Sequence, residues 1–406
     1  MSEPGTPRIR VLVVDDSVAV RRLLTSILSS DPGIQVVGSA ADGKAALAAI
    51  ETLQPDVMTL DVEMPVLDGL GTLRELRKRW RAMPVIMLST LTVRGAEATL
   101  DALTSGANDY VPKPSHIGDR DAAMEGVRAA LIPKIKTLHA KRLSQGRSAA
   151  AAVAASAGRA VVASPAAGGP SSQGAAVASL HPAPLASRAP AALAGALASR
   201  TARGAAGVEM VAIGVSTGGP SALAVVLPAL PEDFGAPIVI AQHIPPVFST
   251  VLADRLNGAS KIRVVEAKGG EIPQAGTAYI APGHHHLIVT GTRSAPVLAL
   301  SEAPPENSCR PSVDVLFRSV AAVYGRSLLG VMLTGMGQDG VEGSRVIQQG
   351  GGRIIVQDEA TSVVWGMPGL VWKAGLAEGM FPVEGIAGEI AARAGSLRRV
   401  RSVSGG

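Results

Sequence analysis

The chain has 406 residues, enough for two or three domains, and carries 38 Lys+Arg against 33 Asp+Glu for a formal charge of +5. Its 3 Trp, 3 Tyr and 4 Phe are too few for the ring platforms that bind single-stranded nucleic acid. The single cysteine, Cys309, excludes an internal disulfide framework and a multi-thiolate zinc site, and the polar start MSEPGTPRIR predicts no signal peptide, so a cytoplasmic protein without a membrane span is expected. In chain order, an apolar run at 10–14 ends in Asp15-Asp16, and a helix starts at Ser17 with Val18, Leu23, Leu24, Ile27 and Leu28 at helical spacing. Residues 35–37 read as a strand, 43–53 as a helix, and 56–60 as a strand ending in Asp61. A helix at 68–80, a strand at 84–88 ending in Ser89, a helix at 93–105 and a strand at 109–111 ending at Lys113-Pro114 complete the alternation. Strands that alternate with helices imply a parallel, doubly wound sheet.

The polar residues of this first segment fall at strand carboxyl ends, the edge at which open α/β sheets bind ligands. Asp15, Asp16 and Asp61 repel one another there and call for a cation, and oxygen ligands with no His or Cys nearby suggest Mg²⁺. Lys113 is suited to hold a phosphoryl oxygen, and Ser89 adds a hydroxyl donor. The chemistry assembled is phosphoryl transfer to a carboxylate, with Asp61 as nucleophile.

VLVVDDS, LDVEMPVLDG, MLST and DYVPKP resemble the receiver domain of response regulators over about the first 130 residues. The resemblance implies that a sensor histidine kinase supplies the phosphoryl group to Asp61. It implies that Asp16, Asp61 and the backbone carbonyl of Glu63 hold Mg²⁺ with Asp15 close by. Ser89 and Tyr110 would be the switch residues that report phosphorylation on the outer face.

Between Glu125 and Glu209 there is no acidic residue but ten Lys/Arg, so the positive charge belongs to this interval. Residues 144–206 hold 25 alanines in 63 positions and no aromatic residue, and read as a disordered tether that buries too little to offset its chain entropy. The alanine runs favour transient helix.

In the second segment a strand at 208–215 runs into Gly214-Val215-Ser216-Thr217-Gly218-Gly219-Pro220 and a helix at 221–230. A serine between glycines at a strand-to-helix turn is exposed on a tight bend near a positive helix end. Phosphate binding by the glycine turn is the competing reading. A strand at 237–241 ends in Gln242-His243, and one at 327–333 leads to Thr334-Gly335-Met336-Gly337-Gln338-Asp339. Ser216, His243 and Asp339 thus each follow a strand's carboxyl end and can converge as nucleophile, base and orienting acid. Their order is Ser, His, Asp, which is not the α/β-hydrolase order. A DNA-binding output would need a basic winged or helix-turn-helix module, whereas residues 209–406 carry 15 Lys/Arg against 16 Asp/Glu. Adjacent His284, His285 and His286 on a strand alternate faces, so at most two converge, and a rim or surface role is preferred to metal binding.

GVSTGGP, AQHIPP, APGHHHL, RPSVDVLF, LTGMGQDG and VVWGMPG, in this order, resemble the catalytic domain of the chemotaxis protein-glutamate methylesterases over nearly all of 208–390. The resemblance implies backbone N–H groups near Thr217 and Met336 as the oxyanion hole. It implies methylated chemoreceptors as substrates and glutamine deamidation as a second reaction, with no cofactor for the esterase step. Cys309 stands where this family is expected to carry histidine, and Trp365 where it is expected to carry tyrosine. The fold expected is α/β, with two doubly wound parallel-sheet domains, a flavodoxin-like receiver at 8–142 and a Rossmann-like three-layer catalytic domain at 208–397. A disordered linker at 143–207 joins them. Neither nucleic acid nor membrane insertion is expected.

Overall fold

The computed structural model describes residues 7–113, 120–158 and 207–395. β1 (Ile9–Val14), α1 (Val18–Ser29), β2 (Ile34–Ala40), α2 (Gly43–Leu53), β3 (Val57–Asp61), α3 (Gly69–Arg79), β4 (Val85–Ser89), α4 (Val93–Thr104) and β5 (Asp109–Pro112) alternate, and α5 (Arg120–Gly158) follows. The strands pair in parallel in the order β2-β1-β3-β4-β5. β3 (VMTLD) and β4 (VIMLS) are buried at every position, because helices cover both faces of the sheet. Short polar residues start four of the helices. Ser17, Asp42, Asp68 and Thr92 each accept a hydrogen bond from the backbone N–H three residues on.

The second sheet begins with β6 (Met210–Val215), α6 (Gly219–Val226), β7 (Ile238–Gln242), α7 (Pro246–Ala259), β8 (Arg263–Glu266) and β9 (Thr277–Ile280). After β10 (His286–Thr292) and β11 (Ala295–Ser301), α8 (Val313–Tyr324), β12 (Leu328–Met332), α9 (Val341–Gln349), β13 (Arg353–Gln357), α10 (Met367–Lys373), β14 (Gly379–Phe381) and α11 (Val383–Ala394) complete it. Seven strands pair in parallel in the order β14-β13-β12-β6-β7-β9-β8. The chain leaves β6 toward β7 and later returns to lay β12 on its other side, so β6 is the point where the strand order reverses. The antiparallel β10–β11 hairpin lies outside the doubly wound plan; its strands join across a two-residue turn at 293–294.

The two sheets fall into one compact unit. The Tyr110 ring of the first sheet stacks on Phe248 of α7 with centroids 4.8 Å apart. Ser221 Oγ donates to the Leu103 carbonyl at 3.2 Å, and Arg255 pairs with Asp101 at 2.5 Å. From α5, Thr137 Oγ1 lies 3.5 Å from Met336 Sδ, and Lys141 donates to the Ser362 carbonyl. Met336, Val363 and Val364 pack into the apolar cluster of Leu131, Ile135 and Leu138.

α5 continues to Gly158, into the span expected to be the tether, through an alanine-rich stretch of high helix propensity. The remainder, 159–206, lies outside the described residues. Among the described residues no helix is long and apolar enough to cross a membrane.

Candidate active site

Three strand ends build one site. Ser216 follows β6, His243 follows β7, and Asp339 ends the loop after β12, which lies on the opposite flank of β6. His243 Nδ1 is 3.0 Å from Ser216 Oγ, and His243 Nε2 is 2.8 Å from Asp339 Oδ2. A carboxylate only accepts, so Nε2 carries the hydrogen and Nδ1 is left as the acceptor facing the serine.

The serine turn is held by its neighbours. Ser216 N–H donates to the Thr334 carbonyl at 3.0 Å, and Gln242 Nε2 donates to the Ser216 carbonyl at 3.0 Å. Gly218 has φ 78°, and a Cβ there would strike Val363. That packing covers the glycine turn, and Gly219 N–H is already donated to the Ser216 carbonyl at 2.8 Å. The glycines therefore serve close packing, and the phosphate-cradle reading loses its support. Among the described residues the N–H groups of Thr217 and Met336 donate no hydrogen bond, and they flank the serine turn from its own loop and from the loop after β12.

Asp339 accepts five hydrogen bonds. Ser312 Oγ, Asp314 N–H and Asn307 Nδ2 donate to Oδ1 at 2.8, 3.0 and 3.1 Å, and Val313 N–H and His243 to Oδ2 at 2.7 and 2.8 Å. Ser312 caps α8, so the carboxylate sits against a helix N-terminus. Burial pushes the Asp339 carboxyl up, but His243 and these N–H donors outweigh it and hold it below the usual range. Burial pushes the His243 imidazole down, but Asp339 and then the neighbouring Cys309 outweigh it and lift it to about 9. Asp314, buried beside Asp339, is pushed up, chiefly by burial.

Sequence reasoning missed Gln242, Asn307 and Asp314 as supports. The signal for Ser312 was present, since a serine opening the apolar run VDVLF is a helix cap. One of the three adjacent histidines departs from the expected rim or surface role. His286 is fully buried; its Nδ1 accepts from Ser312 N–H at 3.1 Å and its Nε2 faces the Pro304 carbonyl at 3.2 Å. It anchors the loop behind Asp339. His285 pairs with Glu302 at 3.4 Å, so the three rings do not converge.

In the first domain, Lys113 Nζ lies 2.8 Å from Asp15 Oδ2 and 2.7 Å from Asp61 Oδ2. Asp15, Asp16 and Asp61 offer oxygens within 4.8 Å of one another. Burial pushes Asp61 up to about 6 against the pull of Lys113. Glu63 N–H donates to Asp61 Oδ1 at 3.4 Å, while the Glu63 side chain pairs with Arg94. Ser89 Oγ donates to the Gly95 carbonyl at 3.0 Å. Tyr110, expected on an outer face, is buried against Phe248 of the other domain because that face is covered by α7.

Residues 11–125 match the response regulator receiver domain, and 211–390 match CheB methylesterase. A protein-glutamate methylesterase/protein-glutamine glutaminase of Trichodesmium erythraeum is 45% identical over 389 residues, covering 96% of this chain and 100% of that protein. One from Nocardioides sp. is 44% identical, covering 95% and 96%. The solved catalytic domain of Thermotoga maritima CheB methylesterase is 38% identical, with a TM-score of 0.45, covering 46% of this chain and 99% of that one. With a receiver at one end, a methylesterase domain at the other and full-length relatives at this identity, the chain belongs to the protein-glutamate methylesterase/protein-glutamine glutaminase family of receiver-linked chemotaxis proteins.

Proposed function

We propose that the chain is a phosphorylation-controlled serine esterase that hydrolyses glutamate methyl esters on chemoreceptors, releasing methanol, and deamidates receptor glutamines by the same acyl route. The observation that carries this reading is the Ser216–His243–Asp339 chain of contacts at 3.0 and 2.8 Å. His243 Nδ1 takes the proton from Ser216 Oγ as that oxygen attacks the ester carbonyl. Asp339 holds the imidazole in the required tautomer and stabilises the imidazolium, and its five donors keep it ionised. The Thr217 and Met336 N–H groups are the donors for the oxyanion. His243 then returns the proton to the departing methoxide, and a water activated by His243 opens the glutamyl-serine ester. A serine-directed fluorophosphonate is expected to label Ser216 alone, and His243→Gln to suppress the labelling. Absence of a Ser216 adduct in the folded wild-type chain refutes the reading.

The lifted His243 gives a pH dependence with a definite sign. Only the neutral imidazole accepts the serine proton, so activity is lost as pH falls through about 9. For the unphosphorylated chain, kcat/KM should rise about tenfold per pH unit toward that value and level off above it. A methanol-release profile that is flat between neutrality and pH 9 contradicts this placement of the base.

The receiver's donor set fits Mg²⁺, being oxygen only, with Asp15, Asp16 and Asp61 as side-chain donors and the Glu63 carbonyl as the backbone one. The ion neutralises charge on the phosphoryl group when bound. Asp61 is the acceptor of the phosphoryl group from a sensor histidine kinase, and Lys113, Ser89 and Tyr110 carry the response. α5 rests on Met336 and on the 362–364 loop that covers the serine turn, which supports restraint of the esterase by the unphosphorylated receiver.

A further inference from the structure

The chain's single cysteine lies 66 residues from His243 in sequence, and the fold brings them together. Cys309 Sγ is 3.5 Å from His243 Nδ1, the same nitrogen that faces Ser216 Oγ at 3.0 Å. With Nε2 committed to Asp339, Nδ1 has one lone pair, so hydroxyl and thiol compete for one acceptor. A thiol gives up its proton far more readily than an alkyl hydroxyl. A thiol held against an imidazole nitrogen is the pairing found in activated cysteine nucleophiles. The rise of the His243 imidazole owes part of its size to Cys309.

The thiol's position is built. Glu306 and Cys309 exchange two backbone hydrogen bonds, at 3.1 and 2.9 Å, across a turn whose Asn307 and Ser308 have φ of 52° and 62°. Arg318 grips both carboxylate oxygens of Glu306 at 2.7 and 2.6 Å. Asn307 Nδ2 reaches Asp314 Oδ2 at 2.9 Å and Asp339 Oδ1 at 3.1 Å. One turn therefore ties to the orienting acid through its asparagine and to the base through its cysteine. Cys309 is only partly buried, so small reagents reach it.

We propose that Cys309 is a reactive thiol whose modification by hydroperoxides or other electrophiles switches the esterase off, a role that rests on the Ser216–His243–Asp339 reading. With a hydroperoxide, the sulfur attacks the outer peroxide oxygen and the O–O bond breaks. Cys309 becomes a sulfenic acid, and the departing oxygen leaves as water or alcohol with the proton held by His243. One small thiol displaces water from the sulfenic acid to give a mixed disulfide, and a second releases Cys309 and a small-molecule disulfide. With iodoacetamide, the carbon–sulfur bond forms as iodide leaves. Either group on Sγ fills the space beside Nδ1 through which Ser216 passes its proton.

Because the chain holds one cysteine, the intact mass of the full chain after iodoacetamide reports Cys309 alone. Methanol release should fall in proportion to the single adduct. Cys309→Ala and Cys309→Ser, whatever their own starting rates, should keep those rates through the treatment. His243→Gln should slow adduct formation at neutral pH by about tenfold or more. Hydrogen peroxide should give the same loss, reversed by dithiothreitol. A complete adduct with methanol release intact overturns the switch alone, as does an alkylation rate indifferent to His243→Gln. An untreated chain that releases no methanol overturns the esterase reading, and the switch with it.

Discussion

Ser216→Ala should leave a folded chain whose methanol release from methylated receptor falls by at least about 10³-fold, the loss typical when a triad nucleophile is removed and only oxyanion and binding contributions remain. Fold and activity separate cleanly at this position. The backbone contacts of the turn, Ser216 N–H to Thr334 and Gln242 to the Ser216 carbonyl, do not involve the hydroxyl. The hydroxyl's partner is His243, which keeps Asp339. A change in melting temperature of no more than a few degrees is expected, since no core volume is lost. Turnover near wild type in Ser216→Ala would sink the assignment of the nucleophile, and collapse of the fold would show that the turn depends on more than its backbone.

A small-molecule phosphodonor with Mg²⁺ should raise methanol release by about tenfold, a shift that needs only about 1.4 kcal/mol between restrained and released forms. An aromatic pair such as Tyr110–Phe248 contributes roughly 0.5–1.5 kcal/mol beyond its buried area, and an exposed ion pair such as Asp101–Arg255 at most about 1 kcal/mol. Phe248 sits in the first turn of α7, which begins three residues after His243, so the receiver's tyrosine touches the helix that carries the base's loop. Asp61→Asn should give no response to the phosphodonor, and withholding Mg²⁺ should abolish the response of the wild type. Phe248→Ala should raise the basal rate of the unphosphorylated chain. A response that persists in Asp61→Asn would place the phosphorylation elsewhere, and a wild-type chain indifferent to the phosphodonor would remove the receiver from control of the reaction.

Much of this was legible in the chain itself. The parallel strands were visible because strands buried on both faces are continuous apolar runs, and their ends were marked by polar residues, Asp61, Ser89, Ser216 and His243. The β10–β11 hairpin was not visible as a departure from the plan, because its apolar positions read like those of any strand while its partner is set by a two-residue turn. The supports of Asp339 were hidden for a different reason. Asn307 and Asp314 reach it only through a turn of positive-φ residues and a helix end, a juxtaposition without a periodic signature. The nearness of Cys309 to His243 is of the same kind, since two residues 66 apart meet only when the loops from β7 and into α8 face one edge. Tyr110 could be placed on its strand but not against Phe248, because what covers a surface is a property of the second domain.

The strand order has a consequence for where control can enter. Ser216 and His243 hang from neighbouring strands whose backbone ladders fix their separation, with β6 and β7 each hydrogen-bonded on both sides. Asp339 arrives from the far flank, at the end of the segment from Leu333 that passes over the serine turn. That segment also carries Met336, whose Sδ lies against Thr137 of α5. Ser216 and His243 are thus set by the lattice of the sheet, while Asp339 ends the crossing segment whose Met336 meets α5. On the proposed restraint of the esterase by the receiver, loss of the contact between Met336 and α5 should change kcat more than KM.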